Sequence, residues 1–157
     1  MFPGDSHLLV QMDDDDTDYR FPIAIANEPV LKNLRLSVMC MLFSGKVDRA
    51  AGLVFRYQDE NSYYVTRANA LENNVRFYKV EKGRRQQLAG WDGKVTSGFW
   101  HEFQVEAIGD HIQITWDGQK VIDAHDSTFP EAGKVGLWTK ADSVTAFDDL
   151  IVEALGS

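Results

Sequence analysis

The sequence predicts an all-β fold, an antiparallel sandwich or barrel, in a single domain spanning residues 1–157. Three observations predict it. Apolar and polar residues alternate in about eleven segments, glycine-containing turns separate many of these segments, and no stretch combines a clear helical period with capping residues. A chain of 157 residues is long enough to bury most of its apolar surface in one core.

The strands are predicted from alternation, because successive side chains of a strand point to opposite faces. Residues 34–42, 52–57, 101–107 and 111–116 each show a period of two. Their apolar faces, with those of two strands near the end of the chain, should meet in one core. The predicted core comprises Leu36, Val38, Leu53, Phe55, Phe103, Val105, Ile112, Ile114, Val135, Leu137, Phe147 and Leu150.

Hairpin turns are predicted at residues 81–85, 108–111 and 116–119, because glycine supplies the positive backbone angle that such turns need. Residues 68–74 are the one stretch that favours a short helical turn. The intervening segments have the length of ordinary strands.

Composition excludes several classes of function. The net charge of −8 argues against nucleic acid as the main partner, and no apolar run is long enough to predict a membrane span. Cys40 is the only cysteine, so neither an internal disulfide nor a thiolate metal site is expected. Because Cys40 lies in an apolar strand, we expect a buried and inert thiol.

Catalytic signatures are absent from the sequence. It contains no G-x-S-x-G segment, no phosphate-binding glycine loop and no H-E-x-x-H segment. Glu102 and Glu106 share one strand face, but their separation of about 13 Å exceeds that of a glycosidase carboxylate pair. The histidines lie on different predicted elements and show no metal-ligand spacing; they are His7, His101, His111 and His125.

Two stretches, residues 54–80 and 133–155, are rich in aromatic and polar side chains. In the first, alternation places Arg67 on the same face as Tyr63 and Val65. Aromatic rings beside Arg, Asp and Asn suit a sugar, because the ring packs on C–H groups and the polar groups bind hydroxyls. Structural ion pairs and ordinary core aromatics are the alternative interpretation.

The segments G-L-x-x-R-Y-x-D, Y-Y, W-H, D-G, G-x-V-G-L-W and F-D-D-L follow one another in this order. As a series they resemble the concanavalin A-like (laminin-G-like) jelly-roll family, in the uncharacterised bacterial branch near the 3-keto-disaccharide hydrolase domain. The resemblance covers roughly residues 7–152. It implies a two-sheet jelly roll with one concave face, an extracytoplasmic setting, and binding of a saccharide or glycan without catalysis.

On that face we predict a ligand surface in which the arginines donate forked hydrogen bonds, the aromatic rings stack, and the carboxylate accepts from hydroxyls. Its residues are Arg56, Tyr64, Arg67, Trp138, Lys140 and Asp142. Two alternatives remain open: a glycoside-active hydrolase of the 3-keto-disaccharide type and a laminin-G-like protein-interaction module. The sequence specifies neither the ligand nor the oligomeric state.

Calcium is the one metal that the resemblance implies. Many jelly rolls hold a structural calcium ion where the last strand meets the first, which would make either Asp148 or Asp149 a ligand, with help from the acidic run at residues 13–16. Alternation points these two side chains to opposite faces, so only one of them should serve, and we predict Asp148. The run itself also suits a solvated loop that protects a sheet edge. No other cofactor is predicted.

Overall fold

The computed structural model describes residues 7–8, 23–44, 50–139 and 144–156, and all structural statements below refer to these. They form twelve strands and no helix. Within these residues there is no helix of sufficient length and hydrophobicity to span a membrane. The strands are β1 (His7–Leu8), β2 (Ile23–Ile25), β3 (Leu34–Ser44), β4 (Ala50–Asp59), β5 (Ser62–Asn69), β6 (Asn74–Glu81), β7 (Arg84–Asp92), β8 (His101–Ile108), β9 (His111–Trp116), β10 (Gln119–His125), β11 (Lys134–Trp138) and β12 (Val144–Ala154).

The strands build two six-stranded antiparallel sheets, which confirms the predicted all-β sandwich. Sheet 1 has the order β1-β12-β3-β8-β9-β10, and sheet 2 has the order β2-β11-β4-β5-β6-β7. Strands β4 to β7 pair in sequence order, and so do β8 to β10, because short hairpins join them.

The three predicted hairpins are confirmed. The β9–β10 turn consists of Asp117 and Gly118, whose φ angles are 50° and 81°, as a turn with two positive φ angles requires. Within residues 68–74, where a short helical turn was expected, residues 70–73 form an isolated turn and no longer helix. The chain makes a tight turn there between β5 and β6, because the Asn69 side-chain oxygen accepts hydrogen bonds from the amides of Leu71 and Glu72 at 2.9 and 3.0 Å.

The core lies between the sheets and contains all twelve predicted residues, none more than 2% exposed. The predicted core residues of β3, β4, β8 and β9 were therefore identified correctly by strand alternation, whereas Phe147 and Leu150 both face the core because β12 is irregular at Asp149. Cys40 is fully buried in this core, and burial raises the pKa of its thiol, as expected of an inert cysteine.

A second apolar cluster covers the outer face of sheet 2, away from the core. Residues two apart on β5 and on β6 contribute to it, and Trp138 at the end of β11 completes it. An apolar, aromatic-rich outer face is unusual for a sheet that meets solvent on one side. The cluster comprises Ala50, Val54, Tyr63, Val65, Tyr78, Val80 and Trp138.

Candidate functional site

A cavity of about 160 Å³ opens on this outer face of sheet 2. It is smaller than the roughly 300–1,000 Å³ typical of pockets for drug-sized ligands, so it suits a single ring-sized group. Aromatic and aliphatic side chains form its floor, and polar groups from two hairpin turns and strand β7 form its rim. The lining residues are Glu60, Asn61, Tyr63, Val65, Val80, Gly83, Arg85 and Trp138.

Strand register aligns three of the lining residues in one row. Tyr63 on β5 lies opposite Val80 on β6, which in turn lies opposite Arg85 on β7. Side chains that are directly opposite across neighbouring strands are close enough to interact. The row therefore places an aromatic ring, an aliphatic group and a guanidinium side by side on one surface.

Two adjacent turns hold the polar rim. In the β4–β5 turn, the amide of Asn61 donates to the Asp59 carboxylate at 2.8 Å. The amide of Gly83 in the β6–β7 turn donates to the Asn61 carbonyl at 3.2 Å, which connects the two turns. Lys82 and Gly83 have φ angles of 54° and 75°, so this hairpin also turns through two positive φ angles. Asn61 is thereby fixed at the mouth of the cavity.

Trp138 forms a wall of the cavity because a glycine lies opposite it. Gly52 on β4 pairs directly with Trp138 on β11. A Cβ atom at Gly52 would lie 2.8 Å from Cε3 of the indole and 3.0 Å from the backbone oxygen of Thr66. The absence of a side chain thus lets the indole lie against strand β4, and Trp138 is only 1% exposed.

The electrostatics of the cavity favour binding of a neutral polar ligand. Burial raises the pKa of Tyr63, and the nearby Tyr57 adds to this rise, whereas the positive charge of Arg85 opposes it. The phenol therefore stays protonated and can donate a hydrogen bond. The exposed Arg85 guanidinium stacks 4.5 Å from the centre of the Tyr78 ring. Of the described residues that line the cavity, Glu60 alone carries a carboxylate.

Two of the predicted ligand residues lie on this face of sheet 2. Trp138 lines the cavity itself. Arg67 lies beyond the lining residues and is 5% exposed, and its guanidinium already contacts Asn74, the Tyr78 hydroxyl at 3.2 Å and the Glu72 carboxylate at 3.6 Å. Arg67 therefore supports the Tyr78 side of the cluster.

Two other predicted ligand residues, Tyr64 and Arg56, do not lie on this face. The Tyr64 ring is buried in the core, and its hydroxyl donates to the Asp126 carboxylate at 2.6 Å. Arg56 is 0% exposed and donates to the backbone carbonyls of Lys32 and Phe129 at 2.9 and 3.1 Å. The Tyr64 hydroxyl and the Nε and Nη1 atoms of Arg56 therefore bind protein groups in the interior, whereas the buried Nη2 atom of Arg56 has no partner within the described part of the chain.

Strand alternation predicts the wrong direction for the Arg56 side chain because β4 is irregular at that point. Its φ angle is +49°, and the β4–β5 register shifts between Phe55 and Asp59. Such a bulge redirects the side chain that alternation would place outward. A Cβ atom at Gly133 would lie 2.3 Å from the Arg56 backbone carbon, so a glycine there permits this close packing.

The remaining predicted ligand residues, Lys140 and Asp142, lie outside the described residues, as do Asp13 to Asp16.

Asp148 lies on β12 opposite His7 of β1, where the first and last strands meet as the calcium prediction requires. Its carboxylate accepts a hydrogen bond from the Asp149 amide at 2.8 Å. Within the described part of the chain it belongs to no group of three ligating side chains, so calcium at Asp148 stays a prediction.

The described carboxylates considered for catalysis do not converge. Asp59 ends β4 in sheet 2, whereas Glu102 and Glu106 lie on β8 in sheet 1. Glu106 accepts a hydrogen bond from Arg35 at 3.3 Å. His101 is structural, as expected, because its ring nitrogens bind the Asp117 carboxylate and the Thr96 carbonyl at 2.6 and 2.9 Å.

Most of the cavity lining was missed from the sequence. The pattern did place Tyr63 and Val65 on the face of Arg67, and that parity excludes Tyr64 from the same face. Residues 80, 83 and 85 could be assigned only once the β6–β7 register was known. Glu60 and Asn61 carry no distinguishing signal, because polar residues are common in turns.

Comparison with known proteins places this geometry in context. No family model matches the chain. It is 29% identical over 154 residues to a levanase from Bacillus subtilis (strain 168), an alignment that covers 96% of this chain and 20% of the levanase. The chain therefore spans about a fifth of the length of that relative.

Among solved structures, the carbohydrate-binding module CBM66 from Bacillus subtilis superposes with a TM-score of 0.80 at 23% identity, covering 93% of this chain and 92% of that one. The fold is a concanavalin A-like jelly roll. Sheep galectin-11, in complex with glycerol, superposes with a TM-score of 0.62 at 8% identity, covering 84% of this chain and 96% of that one. At these identities the structural likeness shows the fold alone.

Proposed function

We propose that this domain is a carbohydrate-binding module that holds a sugar ring in the cavity on the outer face of sheet 2. The observation that carries the proposal is the pairing of an aromatic floor with a hydrogen-bonding rim in a cavity of about 160 Å³. The levanase relative and the structural likeness to a carbohydrate-binding module and a galectin support it.

The described side chains have complementary roles in this proposal. The apolar C–H face of a sugar ring packs on Tyr63 beside the buried wall that Trp138 forms, while Arg85, Asn61 and Glu60 hydrogen-bond to its hydroxyls. Because the Tyr63 phenol stays protonated, it can also donate to a hydroxyl. The small volume favours recognition of one sugar unit, such as a chain end, over a long stretch of polymer.

Levan is the first ligand to test, because the related protein is named for acting on levan. Affinity electrophoresis in gels containing levan, a β-glucan or a xylan would reveal binding as slower migration. The proposal predicts retardation by at least one of these polysaccharides. Retardation by none of them, with the protein correctly folded by circular dichroism, would contradict it.

The location of the site is tested with exposed side chains whose loss spares the fold. Arg85→Ala removes a cavity-lining guanidinium, whereas the neighbouring Arg84, which lines no part of this cavity, provides the matched control Arg84→Ala. We expect binding to weaken by about tenfold or more in Arg85→Ala, the loss of about one charged hydrogen bond, and to be unchanged in Arg84→Ala. Equal effects of the two substitutions would show that charge alone determines retardation.

A further inference from the structure

A cluster of histidine and carboxylate side chains lies on the outer face of sheet 1, at strand β10, an edge of the described sheet. His111 on β9 lies directly opposite His125 on β10, and Gln113 lies opposite Asp123. The two imidazole rings are parallel within 4°, with centroids 4.5 Å apart. The two histidines are fourteen positions apart in sequence, so only the hairpin register brings them together.

Hydrogen bonds orient each of the side chains in this cluster. Nε2 of His111 lies 2.8 Å from Oδ1 of Asp123, whose Oδ2 accepts a hydrogen bond from the Gln113 amide at 3.1 Å. Nδ1 of His125 lies 3.2 Å from Oδ1 of Asp110. Because an ionised carboxylate only accepts, the neutral form of His125 donates from Nδ1 and keeps the lone pair of Nε2 for a metal ion. Histidine metal ligands characteristically have such a carboxylate partner.

We propose that His111, Asp123 and His125 form a binding site for a divalent transition-metal ion of the zinc class. One ligand atom from each residue lies within 4.8 Å of the others. Tetrahedral coordination with bonds of about 2.1 Å places ligand atoms about 3.4 Å apart, so adjustments of about 1 Å complete the site. The three side chains are 39%, 49% and 63% exposed, which permits these adjustments and leaves a coordination position open to water.

The chemistry of the ligands selects the metal. Two imidazoles and one carboxylate suit zinc and its neighbours, whereas calcium and magnesium prefer a larger set of oxygen ligands. Hydrogen bonds with His111 and Gln113 hold the Asp123 carboxylate beside the imidazole rings, in a position to bind the ion. The metal ion would bind Nε2 of His111 in place of the proton that this nitrogen shares with Asp123. Through exchange with water, the imidazole would then carry its proton on Nδ1.

The proposed metal site is independent of the proposed sugar site, because the two lie on the outer faces of opposite sheets. A metal ion bound by β9 and β10 would join the two strands of this hairpin across their outer face. We therefore expect zinc to raise the thermal stability of the protein, since a ligand that binds only the folded state stabilises it.

Isothermal titration of the metal-free protein with ZnCl₂ tests the proposal, with MgCl₂ and CaCl₂ as comparison ions. We expect one zinc site, no comparable binding of the other two ions, and weakening of zinc affinity by more than about tenfold in His111→Gln and in His125→Gln. Asp110→Asn should weaken zinc binding less, because Asp110 only positions His125. Glu131→Gln, which removes an exposed carboxylate elsewhere, is the control and should bind zinc as the original protein does.

Histidine ring resonances in NMR spectra provide a second measurement of zinc binding, which does not rely on the heat that the titration records. Zinc should shift the ring signals of His111 and His125 but leave those of His101 unchanged, because both His101 nitrogens already have partners in the protein. The proposal is overturned if the folded protein does not bind zinc, if both glutamine variants bind it with unchanged affinity, or if calcium binds equally well.

Discussion

Gly52→Ala tests the packing that holds Trp138 against the sheet. The added Cβ would lie 2.8 Å from Cε3 of Trp138, 3.1 Å from its Cβ and 3.0 Å from the Thr66 carbonyl oxygen. Side-chain contacts this short require movement, and a backbone oxygen has little room to yield. Overpacking of this kind costs about 1–3 kcal/mol, which for a chain of this length lowers the Tm by roughly 2–12 °C.

Thermal unfolding followed by circular dichroism measures this cost, and Gly156→Ala provides the matched control. A Cβ at Gly156 meets nothing within 4 Å, so the control should unfold within about 0.5 kcal/mol of the original protein. The penalty of Gly52→Ala should shrink in a Trp138→Ala background, because most of the short contacts are to the indole. If Gly52→Ala is as stable as the control, or if its penalty is unchanged without the indole, the packing argument fails.

Three further predictions concern the interior. Tyr64→Phe should lower the free energy of unfolding by about 1–3 kcal/mol, because it leaves the buried Phe129 amide without its acceptor at 3.2 Å, and chemical denaturation measures this. Burial opposes ionisation of Asp126, but hydrogen bonds from Tyr64 and Thr128 outweigh burial and lower the pKa of Asp126 below the ordinary 3.8. The stability that the ionised carboxylate contributes is therefore lost as the pH falls below about 4. The Tm of Asp126→Asn should accordingly depend less on pH in that range than the Tm of the original protein. Cys40 should resist iodoacetamide in the folded protein and react in urea, as mass spectrometry would show, because burial raises its thiol pKa; rapid labelling without denaturant would refute its burial.

The fold could be predicted from the sequence because period-two alternation and turn residues are local signals. Leu53 and Phe55 on β4, and Ile112 and Ile114 on β9, were assigned to the core from parity alone. Such inferences need no knowledge of which strands pair.

The site could be predicted only in part because it depends on register and on backbone irregularities. Tyr63, Val80 and Arg85 form one row only through the pairing of β5, β6 and β7. The positive φ angle of Arg56 removes its side chain from the face that parity indicated. His111 and His125 show no metal-ligand spacing in sequence, yet the β9–β10 hairpin stacks their rings.

The most direct test of the central claim is to map the binding surface with an amide NMR titration, adding a short levan-derived oligosaccharide to isotopically labelled protein. The account predicts that the signals of Tyr63, Gly83, Arg85 and the Trp138 indole shift together in a saturable manner, because these groups line one cavity. It also predicts that the exposed Trp100, which lies outside that cavity, is unaffected. Saturable shifts confined to sheet 1 or to the segment around Trp100 would contradict the proposed site.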